Sequence, residues 1–210
     1  MDSLKASLKD VEVCLSKQLE MRERLVRESR DVISSCSRAI VSIHNGRFAD
    51  AERELKSAGT LLETLRQPGR GSLSRYLIPP ETEFVEASTV FALVRGRPVP
   101  SRGAVRASPE AYLHGLLDAV GELKRLVLDC IMKGDLTAAR RHFGSMESLY
   151  SACSPLAIYD HVANGTRRKI DVARMLVEDV RGIVTEETRR KSVESTMRRL
   201  EKKLGKRQIS

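Results

Sequence analysis

The sequence predicts an all-α protein. Aromatic residues make up 4% of the 210 residues and Trp is absent, whereas β-strands favour aromatic and β-branched side chains. Good helix formers such as Leu, Ala, Glu, Lys and Arg are abundant. Apolar residues recur at three- and four-residue spacings, and no stretch alternates as a half-buried strand would. We therefore expect a bundle of roughly seven helices, with a long N-terminal helix, in one domain over residues 1–210.

Glycine and proline set the boundaries of these helices. Asn45-Gly46 is a turn signal that ends the long first helix, and Pro79-Pro80 suits the first turn of the third. Residues 73–78, just before it, fit either a short helix or an extended segment. Ala163-Asn164-Gly165 would break the sixth helix or delay its start. The predicted helices cover residues 2–44, 48–66, 79–94, 108–133, 136–152, 159–181 and, as a separate and highly charged segment, 185–204.

Charge and cysteine usage narrow the class of protein. The formal net charge is +9 and the pI is near 9.6. Such a charge favours a polyanionic partner, with nucleic acid preferred over an anionic membrane. The alternative is that the charge only keeps the protein in solution. The four cysteines form no Cys-x-x-Cys pair, so a zinc site is not expected. We expect them instead to be buried free thiols in a reducing cytoplasm. No apolar run is long enough to predict a membrane span, and the charged N-terminus does not resemble a signal peptide.

Glu83 is the most unusual charged residue in the sequence, and Glu86, at the edge of the same apolar arc, forms a pair with it. They lie one turn apart on the third predicted helix, so their side chains share a face. Glu83 falls within an arc of apolar residues that includes Ala87 and Val90. An ionised carboxylate on an apolar face is costly unless a cation or hydrogen bonds compensate it. The pattern is therefore compatible with a metal site or with a structural ion pair to Arg or Lys.

Asp118 and Glu122 form a second carboxylate pair, four residues apart on the fourth predicted helix. They lie opposite the apolar stripe of that helix, so taken alone they fit an ordinary solvated face. His114, one turn before Asp118, fits a ligand, a general base or a plain structural histidine. If the two helices pack side by side, four carboxylates converge on one hard cation, Mg²⁺ or Mn²⁺. The chain lacks the Glu-x-x-His motif of di-iron bundles.

Two groups of arginines are candidates for contacting a phosphate backbone. Arg24, Arg27 and Arg30 lie on the first predicted helix. Arg95, Arg97, Arg102 and Arg106 lie in a basic segment rich in Pro and Gly, which we expect to be a flexible loop. A solvated basic surface is the alternative interpretation. No nucleophile elbow, phosphate-binding P-loop or dinucleotide fingerprint is present.

These residues together resemble the translin family, and most closely its translin-associated factor X branch. The resemblance is carried by Glu83-Phe84-Val85-Glu86-Ala87 and by the segment from Tyr112 to Glu122. The segment from Arg24 to Asp31 and the turn at Gly134-Asp135 also resemble that family. The similarity spans residues 23–182 and is weak beyond Gly182.

The resemblance implies a function as well as a fold. It implies a hollow homo-octamer that binds RNA or single-stranded DNA inside its shell. The chain resembles the archaeal type of family member, in which all subunits of the oligomer are copies of one chain. In the factor X branch the acidic positions form a Mg²⁺-dependent endoribonuclease site, which implies Glu83, Glu86 and Asp118 as catalytic metal ligands and Glu122 as a nearby acidic ligand. Two other classes stay open, namely a non-catalytic shell that binds RNA or single-stranded DNA and a purely structural helical oligomer. The nuclease reading requires that the polar face of the fourth helix turn toward Glu83.

Overall fold

The all-α prediction is confirmed by the computed structural model, which describes residues 1–69 and 71–207. In these residues every regular element is helical. The helices are α1 (Asp2–His44), α2 (Phe48–Arg66), α3 (Ile78–Val94), α4 (Arg102–Val105), α5 (Pro109–Met132), α6 (Leu136–Cys153) and α7 (Thr166–Arg207). Two 3-10 turns, Gly71–Tyr76 and Ser154–Tyr159, precede α3 and α7 respectively.

The predicted sixth helix starts later than residue 159, which is the delayed start that Ala163-Asn164-Gly165 allowed, and the prediction of a separate seventh helix is wrong. Tyr159 ends the preceding 3-10 turn, residues 160–165 form no regular helix, and α7 begins at Thr166, which is fully buried. The carboxylate of Asp160 accepts a hydrogen bond from the backbone N–H of Arg167 at 2.8 Å, which satisfies a donor in the first turn of α7. From there the helix runs without a break through residues 185–204. That charged segment is therefore the end of α7 rather than a separate helix.

The basic segment is also more ordered than the sequence predicts. Residues 102–105 form the single helical turn α4, capped by Ser101, whose side chain accepts a hydrogen bond from the backbone N–H of Ala104 at 3.2 Å. Arg106 then takes a left-handed conformation with φ of 53°. Such a conformation is uncommon for a residue with a Cβ. The prediction of a flexible loop is therefore wrong for this part of the segment.

The chain divides into two compact units, and the boundary falls inside α5. The first unit comprises Met1–Ala119 and the second begins at Val120. In the second unit, α6 packs on α7 through fully buried side chains that include Met146, Val177 and Val180. Within the described part of the chain, no helix holds a stretch both long and apolar enough to cross a bilayer.

The first unit is built on α1, α2 and α3. Its main apolar cluster joins the three helices, with α3 contributing the fully buried Ala87. A second cluster, made by Val85, Val105 and Ala107, covers another side of α3. Helix α3 is therefore covered on more than one side, so the few carboxylates it carries cannot all face open solvent. The buried members of the main cluster are Leu25, Val32, Cys36, Ala58, Leu62, Leu65, Leu77 and Ala87.

Candidate acidic site

Glu83 and Glu86 lie on the side of α3 that faces α1. Both are half-buried, and Ala87 beside them is fully buried in the cluster that contains Cys36 of α1. The prediction that Glu83 occupies an apolar arc thus agrees with its surroundings. Two carboxylates one turn apart at such a depth carry a desolvation cost that a cation or hydrogen bonds must offset.

The pKa of Cys36 on α1 is sensitive to the two carboxylates of α3. Its thiol is 1% exposed, and its pKa is raised to about 12, first by burial and then by the negative charges of Glu83 and Glu86. Both carboxylates therefore act on one point of α1. Because the pKa is so high, the thiol stays protonated at neutral pH. It therefore packs as a small neutral side chain and is not a reactive nucleophile.

Helix α5 approaches α3 very closely through Gly115. A Cβ added to Gly115 would lie 2.6 Å from the carbonyl oxygen of Thr82 and 2.6 Å from the Cβ of Val85. Only glycine allows the two backbones to come this near. Asp118 lies one turn beyond Gly115 and is half-buried, so the side of α5 that carries it turns toward α3. The contact itself is with Thr82 and Val85, so the predicted approach of Asp118 to Glu83 stays a prediction.

A third carboxylate on α3, Glu81, holds the start of α5 in place. It is 5% exposed and accepts a hydrogen bond from the backbone N–H of Ser108 at 2.8 Å. The hydroxyl of Ser108 in turn accepts a hydrogen bond from the N–H of Ala111 at 3.3 Å and so caps the first turn of α5. Sequence reasoning missed this role. Its one signal was an acidic residue directly after Pro79-Pro80, where a helix N-terminus favours negative charge.

The donor chemistry suits a hard divalent cation, because carboxylate oxygens are the ligands that Mg²⁺ and Mn²⁺ prefer. In the described residues, however, no three His, Cys, Asp or Glu side chains are gathered as the ligands of one ion. The predicted set of Glu83, Glu86, Asp118 and Glu122 therefore stays a prediction. Glu122 follows Asp118 by one turn along α5 and belongs to the second compact unit.

Two of the four predicted RNA-binding arginines of the basic segment make hydrogen bonds within the fold. The guanidinium of Arg106 donates to Glu63 at 2.6 Å, and that of Arg102 donates to the carbonyl oxygen of Ala107 at 3.2 Å. Arg66, which the sequence did not single out, donates to the carbonyl oxygens of Val105 and Arg106 at 2.9 and 3.1 Å. These contacts explain why the segment folds into a turn of helix.

Arg95 and Arg97 lie over aromatic rings. The guanidinium of Arg95 is 5.2 Å from the ring centre of Phe48, and that of Arg97 is 6.0 Å from the ring centre of Phe91. Arg97 also lies 4.0 Å from the carboxylate of Glu52, with both side chains largely exposed. Such exposed pairs contribute little to stability. Both arginines can therefore exchange these contacts for an anionic ligand at low cost.

The arginines of α1 differ from one another. Arg24 pairs with Glu28 at 2.9 Å, whereas Arg27 and Arg30 are exposed and make no hydrogen bond or ion pair with any residue that the structure describes. Arg27 precedes Cys36 by nine residues, which places it about 180° around α1. Arg27 thus lies on the face of α1 opposite Cys36, which is the residue of α1 on which the acidic pair of α3 acts.

Tyr76 is a further surface residue that sequence reasoning missed. Its ring lies between the guanidiniums of Arg22 and Arg75, at 5.5 and 5.1 Å from the ring centre. Hydrogen bonds from Arg22 and then from Arg75 lower the pKa of the Tyr76 hydroxyl. The scarcity of aromatics argues against stacking on bases, but Tyr76 with its two exposed arginines offers a basic and aromatic cluster of the kind that binds single-stranded nucleic acid.

Fold and site together define a helical protein with a half-buried carboxylate pair on a central helix. Residues 71–186, more than half of the chain, match the pattern of the Translin family. The chain is also 31% identical over 177 residues to an uncharacterised protein of Methanocaldococcus jannaschii, covering 81% of this chain and 78% of that relative. The chain belongs to the Translin family. The predicted factor X branch stays a prediction.

Solved structures share the same fold. The AfC3PO–duplex RNA complex and the crystal structure of AfC3PO are both 28% identical to this chain, with a TM-score of 0.82 and 87% of this chain covered. The match spans 96% and 97% of those two chains. The crystal structure of apo-NeC3PO is 20% identical with a TM-score of 0.75, over 86% of this chain and 96% of that one, and supports the fold alone.

Proposed function

We propose that this protein binds RNA and cleaves its phosphodiester bonds with the help of Mg²⁺ or Mn²⁺. The observation that carries the proposal is the half-buried pair Glu83 and Glu86, which converge on Cys36 beside the close contact of α5 with α3. Two carboxylates one turn apart on a covered face offer the oxygen ligands that a hard divalent cation prefers. A catalytic cation is therefore the ligand proposed for this pair.

RNA as the ligand is supported by charge and by similarity. The formal net charge of +9 attracts a phosphate backbone at physiological ionic strength. A structure 28% identical to this chain is that of AfC3PO in a duplex RNA complex. Duplex and single-stranded RNA are therefore both candidates, and single-stranded DNA is a weaker one. We further propose that copies of the chain form a homo-oligomer, an octamer as the resemblance implies.

The residues have distinct roles in this proposal. Glu83, Glu86 and Asp118 would hold the cation, with Glu122 contributing from the next turn of α5. When bound, the cation would polarise the scissile phosphate and lower the pKa of a water molecule. Glu81 and Gly115 are positioning residues, because they fix α5 against α3 and so decide where Asp118 lies. The largest contribution expected from the protein to the rate is electrostatic stabilisation of the transition-state charge in a site that partly excludes water.

Removal of divalent cations is the direct test of the proposed reaction. Full-length protein is incubated with end-labelled single-stranded RNA and with duplex RNA, in Mg²⁺, in Mn²⁺ and in EDTA. Internal cleavage is expected with either cation, none with EDTA, and full recovery when Mg²⁺ is added back in excess. Cleavage that persists in EDTA would contradict the metal assignment, whereas RNA binding without cleavage in any cation would contradict the nuclease.

The free arginines of α1 give a separate prediction about affinity. Arg27→Ala combined with Arg30→Ala should weaken RNA binding by roughly 3- to 10-fold and reduce the slope of log K against log salt by about 1 to 2, because two phosphate contacts are lost. Fluorescence anisotropy across a salt series measures both quantities. Arg53→Ala is the matched control, since Arg53 is equally exposed but pairs with Asp50. An unchanged slope in the double variant would exclude these arginines from the RNA contact.

A non-catalytic RNA- or single-stranded-DNA-binding oligomer is the second candidate function. It is favoured by the observation that no three potential ligands are gathered as one metal site in the parts of the chain the structure describes. In that case Glu83 and Glu86 have a structural role and bind no catalytic cation. The cation experiment above separates the two candidates, because a binding oligomer retains RNA affinity in EDTA and never produces fragments.

A further inference from the structure

Two helix ends, one in each compact unit, expose apolar residues at the same spacing. The N-terminal segment of α1 (residues 2–20) carries Leu4, Leu8, Val11 and Leu15, which are 56%, 58%, 49% and 59% exposed. The C-terminal tail of α7 (residues 189–204) carries Val193, Met197, Leu200 and Leu204, which are 56%, 60%, 53% and 63% exposed. Both sets follow the four-three-four spacing of a coiled-coil seam. No other described stretch exposes four large apolar residues at this spacing.

The seam of the α7 tail cannot join the stripe that packs within its own unit. That stripe runs through Val177, Val180 and Val184, which are all buried. Val193 follows Val184 by nine residues, which places it about 180° around the helix. The apolar side of α7 therefore changes face near Thr185, and the tail presents its seam away from the surface that the rest of α7 covers.

Charge limits what can cover the seam of the α7 tail. Residues 189–204 contain seven Lys or Arg and two Glu, so two α7 tails packed together would repel each other. The N-terminal segment of α1, residues 2–20, contains three Lys and four Asp or Glu. It is close to neutral and slightly acidic. The α1 segment thus matches the α7 tail in spacing and lacks the positive charge that forbids pairing of two tails.

We propose that the N-terminal segment of α1 in one copy of this chain packs along the C-terminal tail of α7 in a second copy. The contact would be a short two-stranded coiled coil with both seams buried at its centre. A helix pair of this length is weak by itself. It would act together with the other contacts of a homo-oligomer, where each added contact raises the overall affinity. It requires association between copies but no nuclease activity, so it can fail or hold independently of the proposed reaction.

Thiol cross-linking tests the pairing directly. Cys14 is exposed and lies beside Leu15 in the α1 seam. Thr196→Cys places a second thiol beside Met197 in the α7 seam. The full-length variant is treated with a short bis-maleimide, and the covalently linked dimer is isolated and digested for mass spectrometry. A peptide linking Cys14 to position 196 is expected as the main cross-link of the dimer.

Other outcomes of this experiment contradict the proposal. A dimer joined only through two Cys14 residues would mean that α1 segments pair with each other. A dimer joined only through two residues at position 196 would mean that α7 tails pair despite their charge. Linkage confined to monomers would place the contact within one chain, and an absence of any linkage at either thiol would remove the contact altogether.

Substitutions in the seams supply a second, independent readout. Val11→Glu and Leu200→Glu should each lower the yield of the linked dimer by at least ~5-fold, because each buries a charge at the centre of the contact. Val13→Glu is the matched control, since Val13 is 45% exposed and lies off the seam. All these positions are exposed, so circular dichroism should be unchanged. If Leu200→Glu leaves the yield intact, or Val13→Glu lowers it as much as Val11→Glu, the pairing is wrong.

Discussion

Glu83→Gln and Glu86→Gln are each expected to lower the rate of Mg²⁺-dependent RNA cleavage by roughly 100-fold or more, the usual loss when a preorganised charge contact at a catalytic centre is removed. The amide keeps the volume of the side chain but loses its charge, so a divalent cation is held less tightly. RNA affinity should change by less than about 2-fold, because these residues do not contact phosphate directly. Single-turnover cleavage and anisotropy measure the two quantities.

Asp118→Asn belongs to the same experiment and should produce a comparable loss. Glu23→Gln, an exposed carboxylate on α1, is the matched control and should cleave at the unaltered rate. If all three acidic-site variants cleave normally, the assignment of the site is wrong. If Glu23→Gln is equally inactive, loss of activity reflects the fold rather than the site.

The two glutamine variants also have a readout that does not depend on activity. Because the charges of Glu83 and Glu86 contribute to the raised pKa of Cys36, after burial, removing either charge should lower that pKa. The Cβ chemical shift of Cys36, which reports ionisation of the thiol in the folded protein, should therefore begin to change at a lower pH in each variant. An unchanged onset in both variants would show that the carboxylates do not act on Cys36.

Gly115→Ala is expected to destabilise the first compact unit by about 1–3 kcal/mol, the usual cost of overpacking. The added Cβ would lie 2.6 Å from the carbonyl oxygen of Thr82, and backbone atoms cannot move aside as a side-chain tip can. This cost is opposed by the better helix propensity of alanine, worth about 1 kcal/mol. The shift of α5 away from α3 should also displace Asp118 and lower cleavage.

Gly121→Ala, on the same helix, is the matched control for this substitution. The nearest atom to its added Cβ is the Cδ1 of Leu176 at 4.0 Å, which is an ordinary contact. We expect Gly121→Ala to stabilise the protein by up to about 1 kcal/mol through helix propensity alone. Urea unfolding followed by circular dichroism compares the two. If Gly115→Ala is as stable as Gly121→Ala, the close contact of α5 and α3 is not as described.

The sequence predicted the helices well wherever Pro or Gly marks a boundary. Asn45-Gly46 separates α1 from α2, and Pro79-Pro80 lies in the first turn of α3. At Ala163-Asn164-Gly165 the sequence predicted either a break or a delayed start, and α7 shows the delayed start at Thr166. The sequence did not decide between the two, because the hydrogen bond in the first turn joins the Asp160 carboxylate to the N–H of Arg167, seven residues along the chain. A contact of that kind leaves no periodic signal in the chain.

The candidate site was predicted unevenly for a similar physical reason. Glu83 stood out because it interrupts an arc of large apolar residues. Asp118 looked like a surface residue, because the second packed side of α5 is marked by small residues, Gly115 and Ala119, rather than by leucines. A pattern of large apolar residues does not detect a face that packs by close backbone approach. The resemblance to the translin family, rather than periodicity, identified that face.

The hydrogen bond between Glu81 and Ser108 has a consequence for how this fold tolerates change. It joins two points that are 27 residues apart in sequence, at the start of α3 and the start of α5. The bond therefore ties the start of α5 directly to the start of α3, whereas the arginine-rich segment leaves from the far end of α3. The tip of this segment can be lengthened, shortened or given a different charge without moving Asp118. The position of α5 on α3 is set by the contact of Glu81 with Ser108 and not by the tip. Under the proposed function, substitutions in this segment change how RNA is bound, while the proposed metal site keeps its geometry.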